Sequence, residues 1–286
     1  MKELIVKIKS IDFKTNFKRN IHLLILISLF IIVVSVLHQP WYIYLLSVLL
    51  YLIANYLIFL GDSIGLTGYF VQTIGKEELA IKCYQSAEKL GGKNQYALIS
   101  YGLILLKDFQ AKEALIRFEK LDSLKNKKPI LEKYNRHNLG ICYWKIGDLK
   151  KSIEIFDKMI EDYEVQSINF LTTLGFIYLL NGNEDKAFEF TNKALEEDPD
   201  HGPAYDNLGQ IYYRQNKLDL AEENFLKALE LKNTMVDSKY YLGLIYEEKD
   251  DIEKAKFYFE EAFNCNINGL NTVTPEQVEE KHNKYK

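Results

Sequence analysis

The stretch 202–235, GPAYDNLGQIYYRQNKLDLAEENFLKALELKNTM, carries the pattern from which the rest of the chain can be read. It predicts two amphipathic helices, about 204–215 and 218–232. Leu208, Gly209 and Tyr212 share one face of the first, and Ala221, Phe225 and Ala228 share one face of the second. Small residues (Gly209, Ala221, Ala228) stand where two helix axes must come close, and Tyr212 and Phe225 fill the space beside them. Gly209 and Ala221 are expected to face each other. Asn216 falls in the turn, a residue that tolerates left-handed backbone.

The pattern recurs at a spacing of 34 residues. One step back gives Leu174, Gly175, Tyr178, Gly182, Ala187, Ala194 and Pro199. One step forward gives Leu242, Gly243, Tyr246, Asp250, Ala255, Phe259 and Ala262. This resembles the tetratricopeptide repeat (TPR), which places Leu-Gly and Tyr on its helix A and Ala, Phe, Ala and Pro on its helix B. The resemblance implies an all-α fold, a right-handed solenoid of about six helix-turn-helix repeats. The units are 61–94, 95–128, 133–166, 168–201, 202–235 and 236–269. The first is degenerate: Gly68, Gly75, Ala80, Tyr84 and Ala87 match, whereas Thr67 and Val71 do not. The second keeps Gly102, Ala114 and Phe118. The third keeps Leu139, Gly140, Tyr143, Gly147 and Phe156, with Ser152 and Met159 replacing the two alanines. An insertion, LKNKKPILE, separates the second and third units, and its Pro129 suits the first turn of a lengthened helix A.

Ahead of the solenoid the sequence predicts a membrane hairpin. Residues 1–20 form a basic arm: positions 1–19 hold six Lys/Arg against Glu3 and Asp12, and 20–60 hold no charge. Two apolar runs follow, 21–37 (roughly 25 Å as helix) and 41–60 (roughly 30 Å), joined by His38-Gln39-Pro40. Trp41, Tyr42 and Tyr44 suit the headgroup level, and no small-x-small cleavage signal follows Leu37. The positive-inside rule then places both termini, and every repeat, in the cytoplasm, with the bilayer as a partner through 21–60 and through the arm. The tail 270–286 reads as a polar helix capped by Thr274, with Pro275 at its first position and Gln277 completing a capping box. With Val278 nearly its only apolar residue, it is expected to be a solvating cap or a frayed end.

Chemistry is scarce. The remainder of the chain holds 30 basic against 38 acidic residues, so a nucleic-acid partner is not expected. Cys83, Cys142 and Cys265 are odd in number and widely spaced; they read as buried thiols of a reducing compartment rather than a disulfide frame. Gly61-Asp62-Ser63-Ile64-Gly65 matches the G-x-S-x-G of a nucleophile elbow, but that elbow needs a strand before it. H-E-x-x-H, G-x-x-x-x-G-K-[ST] and C-x-x-C do not occur. No catalytic residue, cofactor or metal is therefore expected.

The resemblance implies that helix A lines a concave groove for an extended peptide or a helix. Counting each unit from its first residue, positions 2, 5, 9, 12 and 13 face it. These are Tyr134, His137, Ile141 and Trp144, then Thr172, Phe176 and Leu179, then Asp206, Gln210, Tyr213 and Arg214, then Tyr240, Leu244 and Glu247. The Lys/Asn/Asn/Lys/Arg carboxylate clamp of chaperone-tail receptors is absent, although Asn138 and Asn207 remain. The set suggests an apolar groove, unless some of these residues pack between neighbouring repeats. The expectation is a membrane-anchored scaffold or adaptor for a protein partner. The alternative is a tethered regulator that senses a short peptide, and it predicts a smaller, more closed pocket.

Overall fold

The computed structural model describes residue 32, residues 41–163 and residues 167–286. Among them are thirteen helices and no strand. In chain order they are α1 (Trp41–Thr73), α2 (Glu77–Lys89), α3 (Gln95–Lys107), α4 (Ala111–Asp122), α5 (Pro129–Lys145), α6 (Leu149–Asp162), α7 (Ile168–Leu180), α8 (Glu184–Glu197), α9 (Gly202–Arg214), α10 (Leu218–Leu231), α11 (Val236–Glu248), α12 (Ile252–Phe263) and α13 (Pro275–Lys284). They fall into two compact units. One holds the residues up to Ala97 together with Leu124–Lys128; the other holds Leu98–Ser123 and Pro129–Lys286.

In the larger unit the helices pair as the periodicity predicts, α5 on α6, α7 on α8, α9 on α10 and α11 on α12. Three of these pairs close over a glycine on helix A and a phenylalanine sixteen positions later on helix B; in α7 and α8 Gly175 meets Thr191 instead. A Cβ added to Gly209 would lie 2.7 Å from the Phe225 ring, so only glycine lets the axes come this close. The atoms nearest Gly209 are those of the Phe225 ring, and Ala221, one turn earlier on the same helix B, is fully buried. The turns inside the repeats need a left-handed residue, supplied by Gly147, Gly182, Asn216 and Asp250. Successive pairs are tied by the signature tyrosine of helix A, whose hydroxyl reaches an acid on the preceding helix B: Tyr143 to Glu119, Tyr178 to Asp157 and Tyr246 to Glu222. Asn135 adds a bond from its Nδ2 to the Phe118 carbonyl at 2.9 Å. Pro129 opens α5, which at 17 residues is longer than the 13-residue helices α7, α9 and α11.

In the smaller unit the expectation of a membrane hairpin meets a different arrangement. No helix among the described residues is long and apolar enough to cross a membrane. The run from Trp41 to Leu60 does not end where a span would. It continues unbroken through Gly61, Asp62 and Ser63 to Thr73, and the later half of this 33-residue helix is helix A of the first repeat. Gly61 there meets the Gly92 backbone, and Gly68 meets the Tyr84 ring on α2. The two-span localisation falls with this, and so does the cytoplasmic placement of both termini that was inferred from it. The basic arm and, apart from Ile32, the run 21–37 lie outside the described residues. The same helix disposes of the nucleophile elbow, because Gly61–Gly65 is regular helix with no strand or turn to present Ser63.

The tail also departs from expectation. Thr274 caps α13 in a capping box with Gln277. The helix is docked rather than solvated: Val278 is fully buried, and Tyr285 stacks on Phe259 with ring centroids 5.7 Å apart. One apolar residue suffices because the remaining hold is polar. Lys281, Lys284 and Tyr285 all bond Glu247. Burial opposes ionisation of Glu247, but these three donors outweigh it and draw its carboxyl down to about 2. The thiols are all free, yet only Cys142 is buried, which pushes it up to about 12; Cys83 and Cys265 are half-buried.

Candidate partner-binding surface

The expected groove residues lie on the A helices of the larger unit, but most of them do not face open solvent. On α5, Tyr134 is exposed, while Ile141 is buried. His137 turns inward between the rings of Phe156 and Phe170, at 5.7 and 6.0 Å, with Nε2 3.3 Å from Thr173 Oγ1. Burial lowers its pKa to about 4, so it is a neutral packing residue. Trp144 is half-buried, edge-on to Phe176 at 5.1 Å, with the Lys145 ammonium 4.0 Å from its ring centre.

On α7, Thr172, Phe176 and Leu179 are all buried. The Thr172 hydroxyl satisfies the Ile168 carbonyl of its own helix at 2.9 Å. Arg214 of α9 donates to the Leu179 carbonyl at 2.6 Å, and the Tyr213 hydroxyl bonds Glu248 of α11, so both tie neighbouring repeats together. Tyr240 is buried and Leu244 half-buried against the core of the last two repeats, and Glu247 is engaged by α13. The apolar groove is therefore not an open one. Position 12 and its neighbours pack between repeats, because A helices this close leave little room for large side chains to point outward.

Asp206 and Gln210 are brought together and buried. Gln210 Nε2 donates to Asp206 Oδ2 at 2.8 Å, and the Ser238 hydroxyl donates to Asp206 Oδ1. Asp237, on the next A helix, lies near enough to repel Asp206. Burial first, and Asp237 second, raise Asp206 to about 7 against the donors Ser238 and Gln210.

Sequence reasoning did not single out Asp237 or the residues it holds. The segment between α12 and α13, 264–274, dips onto the inner wall. Asp237 Oδ1 accepts from the Thr272 amide (2.7 Å), the Thr272 hydroxyl (2.6 Å) and the Val273 amide (2.8 Å), and its Oδ2 accepts from Asn271 Nδ2 (2.9 Å). Lys145 Nζ donates to the Asn271 carbonyl, and the Gly269 amide donates to the Lys107 carbonyl at 2.7 Å. Burial lowers the Lys145 ammonium to about 8, with Asp237 opposing. The one sequence signal was length. Four residues join α8 to α9 and α10 to α11, whereas eleven join α12 to α13.

What this segment leaves open is a cavity of about 820 Å³. Its walls are Trp144, Thr173 and Phe176 on one side, Asn207 and Lys239 on another, and Asn271 of the segment itself. Aromatic surface beside amide and hydroxyl groups suits a short peptide better than a long apolar helix.

A stack of helix pairs in this register defines an α-helical repeat solenoid. The sequence profile of the tetratricopeptide repeat matches residues 135–161, 166–234 and 236–264, so the chain carries TPR repeats over these residues. BBSome complex member BBS4 of Bos taurus is 32% identical over 155 residues, covering 52% of this chain and 27% of BBS4. Superkiller protein 3 of Schizosaccharomyces pombe is 28% identical over 188 residues, covering 62% of this chain and 13% of that protein. This chain thus spans less than a third of either relative. The crystal structure of a tetratricopeptide repeat protein from Parabacteroides merdae superposes with a TM-score of 0.63 over 84% of this chain and 91% of its own, at 18% identity, a likeness of fold alone.

Proposed function

We propose that the chain is a non-catalytic interaction module that binds a protein partner by a short peptide held on the inner wall of its A helices. The observation that carries this reading is the half-enclosed cavity between Trp144, Phe176 and Asn207, set beside a wall that already holds peptide backbone at Asp237. A short-peptide sensor is favoured over a long open groove because 264–274 closes part of that wall. BBS4, named as a member of a complex, is in keeping with a role in assemblies. The acidic balance of the repeats gives no reason to propose a nucleic acid.

Thr173→Arg tests the reading. Thr173 is half-exposed at the cavity wall, where a long cationic side chain would fill the space. Quantitative cross-linking of the full chain in cells of its source should recover a specific set of partners, and the variant should lose at least tenfold of it with unchanged helical circular dichroism. Full retention by the folded variant would remove the cavity as the binding site.

A further inference from the structure

We infer that residues 268–273 are a resident ligand of the inner wall, and that the partner carries a segment of the same chemistry and enters by displacing them. That chemistry is an asparagine side chain, two successive main-chain amides with a hydroxyl, then a β-branched apolar residue. The inference rests on the interaction reading above and narrows it from any short peptide to this one.

Asp206 and Asp237 are both buried, on adjacent A helices. A buried carboxylate is costly unless donors surround it. Asp206 finds Ser238 and Gln210 within the repeats themselves, but all four donors to Asp237 described above come from Asn271, Thr272 and Val273. A bare wall would strand this carboxylate, so the site requires an occupant. Two of the donors are backbone amides, which any peptide has. The Asn271 and Thr272 side chains and Val273, buried among the core residues of the last repeats, supply the selectivity.

The segment is built to be exchangeable. Links of four to six residues suffice elsewhere between repeats, so this eleven-residue link exceeds what chain connection needs. Of residues 268–273 only Gly269 and Val273 are buried, and Leu270 leaves 37% of its surface exposed. Apart from Val273, its hold is therefore polar, and hydrogen bonds exchange with those of an incoming peptide at little net cost. The adjoining cavity offers such a peptide a first foothold. Gly269 is the point of closest passage: a Cβ there would collide with the Leu106 carbonyl.

A fluorescein-labelled synthetic peptide of residues 266–276 is titrated, by anisotropy, into the full chain and into two full-length variants. Gly269→Ala lifts the segment at its tight passage, and Thr272→Pro removes its amide donor. Both variants should bind the peptide at least tenfold more tightly than the natural chain, and adding Asp237→Ala to Gly269→Ala should abolish the gain. Hydrogen exchange at Thr272 and Val273 should be slow in the natural chain and fast in the variants, with α9 and α11 unchanged. Should both variants misfold, saturating unlabelled peptide added to the natural chain must accelerate exchange at these two amides. Equal binding by all three proteins, a scrambled peptide that binds as well, no acceleration at saturation, or dimers formed by the variants would each overturn the proposal; the last would give the wall to a second copy of the chain. If the peptide fails while Thr173→Arg still loses its partners, the interaction module stands and the resident ligand does not.

Discussion

The A helices of the larger unit present two surfaces, and these were built by different rules. Against helix B, the same pair recurs: Gly102 faces Phe118, Gly140 Phe156, Gly209 Phe225 and Gly243 Phe259, and an added Cβ would approach each ring to 2.5–2.7 Å. Toward the inner wall nothing recurs. Trp144, Leu179, Tyr213 and Glu247 occupy corresponding positions of successive units. A close-packed seam between two helices admits few combinations of volume, so four repeats converge on one of them, and the α7–α8 pair keeps the glycine but sets Thr191 against it. The wall has no such constraint, and there the chain places its buried acids and its own polar segment.

Breaking the seam should have the largest effect. Phe225→Ala is expected to cost about 3–5 kcal/mol, since the ring fills the space above Gly209 and the cavity cannot collapse onto a glycine. Ala221→Leu overpacks the same pair and should cost about 1–3 kcal/mol. Urea unfolding followed by circular dichroism measures both, and an unchanged midpoint in either would refute the packing.

The wall should instead reveal itself through pH. Asp206 keeps its proton in the folded chain up to about 7, whereas an ordinary aspartate, at 3.8, has released it well below that. The folded state binds the extra proton, so the stability linked to Asp206 is fully present below about 4 and is lost as pH rises through about 7. Asp206→Asn should flatten that slope, raising the urea midpoint at pH 8 and leaving it nearly unchanged at pH 4. A variant with the slope of the natural chain would show that Asp206 is not desolvated beside Asp237.

The smallest effect belongs to a turn that departs from the repeat pattern. Phe109 adopts φ of 59°, where the corresponding turns use Gly147, Gly182, Asn216 and Asp250, and its side chain is 52% exposed. Left-handed backbone costs an ordinary residue about 1–2 kcal/mol, and glycine gives part of the relief back as entropy in the unfolded chain. Phe109→Gly should stabilise the fold by about 0.5–1 kcal/mol, read as a rise in thermal midpoint; a fall would mean that the Phe109 ring contributes packing that its exposure conceals.

Sequence alone determined the helix pairs, their 34-residue register, the left-handed turn at Asn216, the lengthened helix after Pro129 and the cap at Thr274. Each follows from neighbours in the chain or from a spacing that repeats, and local backbone energetics and periodic burial write themselves into residue order. Tertiary structure alone decided that the apolar run from Trp41 is the front of a repeat helix, because hydropathy measures the greasiness of a stretch and not where its helix ends. It alone decided that His137 turns into the Phe156–Phe170 core, and that Asp237 takes hold of Thr272 and Val273, some 35 positions away. Among the described residues that last contact occurs once and has no periodic counterpart. It exists because the stacked repeats bring two distant stretches to one wall, where a buried carboxylate must find donors.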